Sequence, residues 1–265
     1  MNAPVLFISH GAPDLVISDI PAHHALKQLG EQLRNSESPY QGVLILSAHW
    51  YTDAKSPLDL ELESSLAPET VYDFAGFSPQ LYRYRYTAHS SSALQNRVKH
   101  QIELAGGKLN PRRRGLDHGS WVPLSLIDPE ATLPVASLSL PATNDPQQMV
   151  KLGRALTALR DQGIIILASG AITHNLWHMG PNGTEPPGWA TRFTQFMQQA
   201  LAEADREKLL SAISHPDFAI AHPTAEHFLP LYVALGASDF TPAKLLHHSF
   251  SYQSIAMDCY LFGEI

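Results

Sequence analysis

At 265 residues, 44% hydrophobic and 16% charged, the chain can bury a sizeable core and does not have the composition of a disordered protein. Its formal net charge of −7 argues against nucleic acid as a partner, since that binding rests on clustered phosphate-neutralising cations. No apolar run approaches the roughly 20 residues that cross a bilayer, so no membrane partner is expected; the compositional outlier is histidine, with 14 copies.

In chain order, Val5-Leu6-Phe7-Ile8 reads as the first strand, too short and too poor in flanking cations for a signal peptide. A helix is predicted over 22–34, then a second strand at Val43-Leu44-Ile45-Leu46. The stretch from Tyr51 to Tyr86, rich in Pro, Gly and aromatics, reads as an irregular excursion over the active face. Near its end Tyr82, Tyr84 and Tyr86 alternate with Arg83 and Arg85, as a half-exposed strand would. A helix over 91–105 follows, then Arg112-Arg113-Arg114 between Pro111 and Gly115, expected to be an exposed turn. Val135 to Leu140 alternates partly and reads as a strand.

Asn144 or Asp145 caps the next helix, with Pro146 at its first position and Met149, Leu152, Leu156 and Leu159 on its apolar stripe; Gly163 ends it. Ile164-Ile165-Ile166-Leu167 is the third strongly apolar strand, and helices are predicted over 189–204 and 205–213. Phe228 to Leu235 forms a short apolar helix with Pro230 in its first turn, and Lys244 to Phe250 an edge strand. The lone cysteine, Cys259, excludes an intrachain disulfide and points to a buried thiol in a reducing, cytoplasmic setting. Near-continuous apolar strands alternating with helices predict an α/β fold: one domain over 1–265, a central mainly parallel (mixed) sheet and helices on both faces.

Three histidines stand just past those strands. His10 closes the first and is followed by Gly11, His49 closes the second, and His174 follows the third after Ser169-Gly170-Ala171. Ligands collect outside the carboxyl ends of strands in open α/β sheets, so the three imidazoles converge on one crevice. Neutral imidazole ligates metals and exchanges protons near pH 7. No compact H-E-x-x-H pattern is present. In Thr224-Ala225-Glu226-His227, ahead of the last helix, either Glu226 or His227 can complete a facial three-ligand set. Tyr72-Asp73-Phe74-Ala75-Gly76-Phe77 with Trp121 is expected to wall an aromatic-sized, substrate-binding pocket in which Tyr72, Phe74, Phe77 and Trp121 face the ligand. Asp117 is the sequence neighbour expected to orient His118, and Asn175 to cap the segment after His174. His222 lies close enough to His227 in sequence to be weighed as a further ligand, but reads as a turn before Pro223.

Six collinear segments carry a family resemblance: Ser9-His10-Gly11-Ala12-Pro13, Ser47-Ala48-His49-Trp50, Tyr72 to Phe77, Leu116-Asp117-His118-Gly119-Ser120-Trp121, Ala168-Ser169-Gly170 with Thr173-His174-Asn175-Leu176, and Ala225-Glu226-His227-Phe228-Leu229-Pro230-Leu231. With them the chain resembles the LigB-like class III extradiol dioxygenase superfamily, in its 4,5-DOPA extradiol dioxygenase branch; Ala12 stands where that pattern usually has Ser. The resemblance implies metal ligands at His10, His49 and His227, thereby choosing His227 over Glu226. It implies His174 as the catalytic acid–base and His118 beside it in the same pocket, with a small-molecule catechol and O2 as reactants. The implied cofactor is one divalent metal: Fe(II) for ring cleavage, with Zn(II) expected as found because it binds more tightly. A homo-oligomer stays open. Two rivals keep the histidines but change the use, namely a zinc-dependent hydrolase and a non-catalytic Memo-like metal-binding protein, and the presence of both His174 and His118 speaks against the second.

Overall fold

The structure, a computed structural model, describes residues 2–37, 39–53 and 56–265. Its central sheet has six strands: β1 (Val5–Ser9), β2 (Gly42–Ser47), β3 (Val135–Ser137), β4 (Ile164–Gly170), β5 (Ala243–His247) and β6 (Cys259–Phe262). Their spatial order is β3-β2-β4-β1-β6-β5. The first four of that order run parallel, while β6 is antiparallel to both its neighbours. The expected mainly parallel, mixed sheet therefore forms.

Every residue of β1, β2 and β4 is buried, because helices cover both faces. Val5, Phe7, Leu44, Leu46, Ile164 and Ile166 enter one core; Leu6, Ile8, Val43, Ile45, Ile165 and Leu167 enter the other. The helices of eight or more described residues are α1 (Pro21–Arg34), α2 (Ser92–Leu104), α3 (His118–Ile127), α4 (Pro146–Leu156), α5 (Gly188–Glu203) and α6 (Pro230–Ala237), with two shorter ones, Arg206–Ser211 and Phe218–Ala221, between the last two. The first core is closed by α2, α4, α5 and α6, the second by α1 and α3. Asp145 caps α4 as expected, its Oδ1 accepting from the Gln147 amide at 2.9 Å. A 3-10 turn, Thr157–Gln162, then leads to Gly163 at φ 74°.

Several elements differ from the sequence expectation, among them a strand at Lys108–Arg112 that takes in the start of the expected exposed turn. The helix α3 and the strand β6 had no counterpart in that expectation. Val135 to Leu140 breaks after Ser137, and Leu140–Pro141 instead pairs with a short strand at Tyr51–Thr52. The excursion from Tyr51 to Tyr86 contains a second strand, Asp59–Glu63, which pairs with Lys108–Arg112; Ala54 and Lys55 lie outside the described residues. Its tyrosines form no strand: Leu81–Arg83 is a 3-10 turn, and the Tyr84 carbonyl accepts from Tyr72 Oη at 2.7 Å instead of joining a ladder. Among the described residues no helix is long and apolar enough to cross a membrane.

Candidate active site

Because β2, β4 and β1 are consecutive parallel neighbours, their carboxyl ends open side by side. The backbone ladder carries both first histidines onto the end of β4: the His10 amide donates to the Gly170 carbonyl at 3.1 Å, and the Ala48 amide to that of Ser169 at 3.0 Å. His227 arrives from the turn that precedes α6, and its own carbonyl accepts from the Ala171 amide at 2.8 Å. Gly170 makes this approach feasible, since a Cβ there would overlap the His227 carbonyl oxygen. Gly119 does the same beneath His49, where a Cβ would lie 2.8 Å from the ring carbon Cδ2.

The result is a convergence of ring nitrogens. His49 Nε2 lies 3.1 Å from His10 Nε2 and 3.2 Å from His227 Nε2. Two nitrogens each about 2.1 Å from one ion stand about 3.0 Å apart at a right angle and about 3.4 Å apart at the tetrahedral angle. Both observed separations fall in that range. His10, His49 and His118 form the group whose ligating atoms all lie within 4.8 Å of one another, whereas the ring-nitrogen hydrogen-bond contacts of His49 go to His10 and His227.

Protonation states fit a cation. Ser169 Oγ donates its proton to the Gly119 carbonyl, so at His10 Nδ1, 2.8 Å away, it can only accept. His10 is thus the Nδ1–H tautomer, with the Nε2 lone pair turned inward. Burial first, then neighbouring imidazoles, holds His10 and His227 well below the ordinary histidine value. Burial and His118 bring His49 to about 4, and burial and His49 bring His174 to about 4. With His10 Nε2 bare, the close approach of His49 Nε2 is satisfied either by a ring N–H donated to it or by a divalent ion placed among the three nitrogens.

His174 does not share that geometry. Its ring lies flat on that of His227, centroids 3.5 Å apart and planes 6° apart. Imidazole lone pairs lie in the ring plane, so an ion in the plane of His227 stands roughly one stacking distance outside that of His174. The first residue of α3, His118, has its ring 4.1 Å from that of His49. Its partner is not Asp117, as adjacency suggested, but Asp73, whose Oδ1 accepts from the His118 amide at 3.0 Å and from Nδ1 at 2.9 Å. Asp117 is saturated elsewhere: it caps α3 through the Ser120 amide, accepts from Ser47 Oγ at 2.6 Å and pairs with Arg114 at 2.6 Å. Burial alone would raise the Asp73 carboxyl, and the hydrogen bonds it accepts from the ring and the amide of His118 help to offset it, leaving a value of about 2.

Tyr72, Phe74 and Phe77 are half-buried, and Phe74 stands edge-on to His118 at 5.9 Å. Trp121 differs from the expectation: it is completely buried, its Nε1 donating to the Val71 carbonyl and its face stacked on Tyr84. It backs the aromatic wall, packing against Tyr72 and Phe74. Asn175 caps the turn after His174 as expected, accepting from the Trp177 amide at 3.0 Å. His222 is buried among Phe193, Phe218 and Phe228 and bonds the Ile172 carbonyl at 2.8 Å.

Sequence reasoning missed Arg114, Tyr51, Ser169 and the role of Asp73. Arg114 is no exposed turn residue: it donates to the His49 carbonyl at 2.9 Å and lies over the Trp50 ring. Tyr51 Oη donates to the Glu226 carbonyl at 2.5 Å, tying the His49 segment to the one that carries His227. Asp117, a residue type that caps helices, was the sequence signal for α3, and its Oδ1 accepts from the Ser120 amide.

The family described as the catalytic LigB subunit of aromatic ring-opening dioxygenase matches residues 4–263. A 4,5-DOPA dioxygenase extradiol from Beta vulgaris is 37% identical, covering 97% of this chain and 95% of its own length. One from Escherichia coli K12 is 33% identical over 89% of this chain and 85% of its own. The crystal structure of an uncharacterized Escherichia coli K12 protein superposes with a TM-score of 0.80 at 29% identity, covering 98% of this chain and 100% of that one.

Proposed function

The chain belongs to the LigB family of aromatic ring-opening dioxygenases, and we propose that it opens the ring of DOPA or a similar catechol by extradiol cleavage with O2, at one divalent metal held by His10, His49 and His227. The observation that carries this reading is the pair of Nε2 separations, 3.1 and 3.2 Å, centred on His49. When bound, the ion supplies Lewis acidity toward a diol hydroxyl and, as Fe(II), the electron density that dioxygen requires. Three neutral imidazoles leave its charge uncompensated for a catecholate, and they also favour Zn(II) as the ion carried through purification.

The remaining residues do the positioning and the proton work. His174 is neutral and free of the metal set, so its ring nitrogen takes the proton of a diol hydroxyl and returns it to the opened product. His118 presents Nε2 to the second oxygen. Tyr72, Phe74 and Phe77 supply the apolar surface that holds an aromatic ring, with Trp121 behind them, and their bulk displaces water from it. The buried lone Cys259 supports a reducing, cytoplasmic setting.

The test is anaerobic reconstitution with Fe(II), followed by oxygen-electrode assays with DOPA, caffeate and protocatechuate. One O2 consumed per ring-opened semialdehyde formed supports the reading; no oxygen uptake with any catechol overturns it.

A further inference from the structure

We propose that Asp73 is the positioning residue that aims His118: its carboxylate fixes His118 as the Nδ1–H tautomer, so that the Nε2 lone pair faces the substrate as a hydrogen-bond acceptor. An ionised carboxylate has no proton to give, so the hydrogen in the 2.9 Å contact between Asp73 Oδ1 and His118 Nδ1 belongs to the ring. The same oxygen accepts from the His118 backbone amide at 3.0 Å, which holds the first residue of α3 and its ring together. The second oxygen of the carboxylate stands 3.8 Å from His49 Nδ1, on the side of that ring away from the nitrogen cluster. One side chain therefore faces both imidazoles.

Among the described residues, the two neighbouring buried carboxylates, Asp117 and Glu63, are committed elsewhere. Asp117 is taken up by Ser47 Oγ, Arg114 and the Ser120 amide, and Glu63 by the amides of Ser65, Arg114 and Gly115. Asp73 is also followed directly by Phe74, whose ring stands edge-on to His118. The irregular segment thus delivers the aromatic wall and the orienting carboxylate as one unit. A substrate ring that displaces this wall also displaces the group that sets His118.

The functional consequence rests on the ring-cleavage reading, but the tautomer does not. The experiment is nitrogen-15 NMR of histidine-labelled, zinc-loaded protein, with the His118 signals identified by their loss in His118→Gln. The expected spectrum has a protonated Nδ1 and a bare Nε2; a proton on Nε2 overturns the proposal without any change at Asp73. Asp73→Ala is expected to lose that single tautomer and to lower the kcat of the iron enzyme about 10–100-fold at nearly unchanged KM and metal content. Asp73→Asn keeps an acceptor oxygen at the same place and is expected to retain the tautomer with a smaller loss of kcat, which keeps the test alive should Asp73→Ala fold poorly. Wild-type kcat in both variants overturns the proposal, as does a loss of metal that accounts for the whole fall. A correct tautomer in a protein that consumes no oxygen with any catechol sinks the catalytic reading and leaves the Asp73 assignment standing.

Discussion

Ser169 Oγ stands 2.8 Å from Nδ1 of His10 and gives its own hydrogen to the Gly119 carbonyl. One hydroxyl at the end of β4 thereby fixes the tautomer of a residue on β1 and secures the second residue of α3. The serine is fully buried, so nothing else can take its place without repacking. Ser169→Ala removes the acceptor from His10 and leaves a buried N–H without a partner, at a cost of about 1–3 kcal/mol. Metal affinity is expected to fall about 10–100-fold, as outer-sphere substitutions typically do. A chelator-competition titration with a parallel melting curve measures both.

Gly170→Ala addresses the approach of the third histidine. The added methyl overlaps the His227 carbonyl oxygen, and backbone yields far less readily than a flexible side chain. The variant is expected to lose about 1–3 kcal/mol of stability and to bind metal weakly. Metal content and denaturant unfolding check the two effects separately.

His174→Ala separates proton transfer from metal binding. Turnover is expected to fall about 100- to 10,000-fold, the usual share of a general acid–base, while bound metal stays near one per chain. Loss of the metal in that variant would make His174 a ligand.

Acid dependence follows from the buried imidazoles. His49 and His174 are depressed to about 4, and His10 and His227 are also shifted down, each chiefly by burial. The unfolded chain takes up these protons from about pH 6.5 downward, before the folded protein does. Stability is therefore complete above about pH 6.5 and is lost as pH falls toward 4. Urea unfolding from pH 8 to pH 4.5 should show a steep decline in that window, and a flat profile would contradict it.

The metal side of the site was more legible from sequence than its support. Apolar runs ending in His10 and His49, and one just before His174, announce strand ends, and parallel neighbours bring strand ends together. Periodicity had no access to His227, whose approach depends on a backbone contact at Gly170 far away in the chain. The helix α3 was hidden because it is buried all round, so no polar stripe interrupts its apolar residues, and because Pro123 lies inside it. Adjacency pointed to Asp117 as the partner of His118, yet Ser47 and Arg114 claim that carboxylate and a residue 45 positions earlier takes the role. Trp121 reads as a pocket residue in any aromatic motif; only tertiary packing puts Tyr72 and Phe74 in front of it.

Metal stoichiometry across a set of single variants tests the central claim most directly. Purified wild type, His10→Ala, His49→Ala, His227→Ala, His118→Ala and His174→Ala would each be loaded with Zn(II), passed through a desalting column and assayed by elemental mass spectrometry. The account predicts about one ion per chain for wild type, His118→Ala and His174→Ala, and little metal in the other three. A His227→Ala protein that retains its ion while His118→Ala loses it would contradict the account.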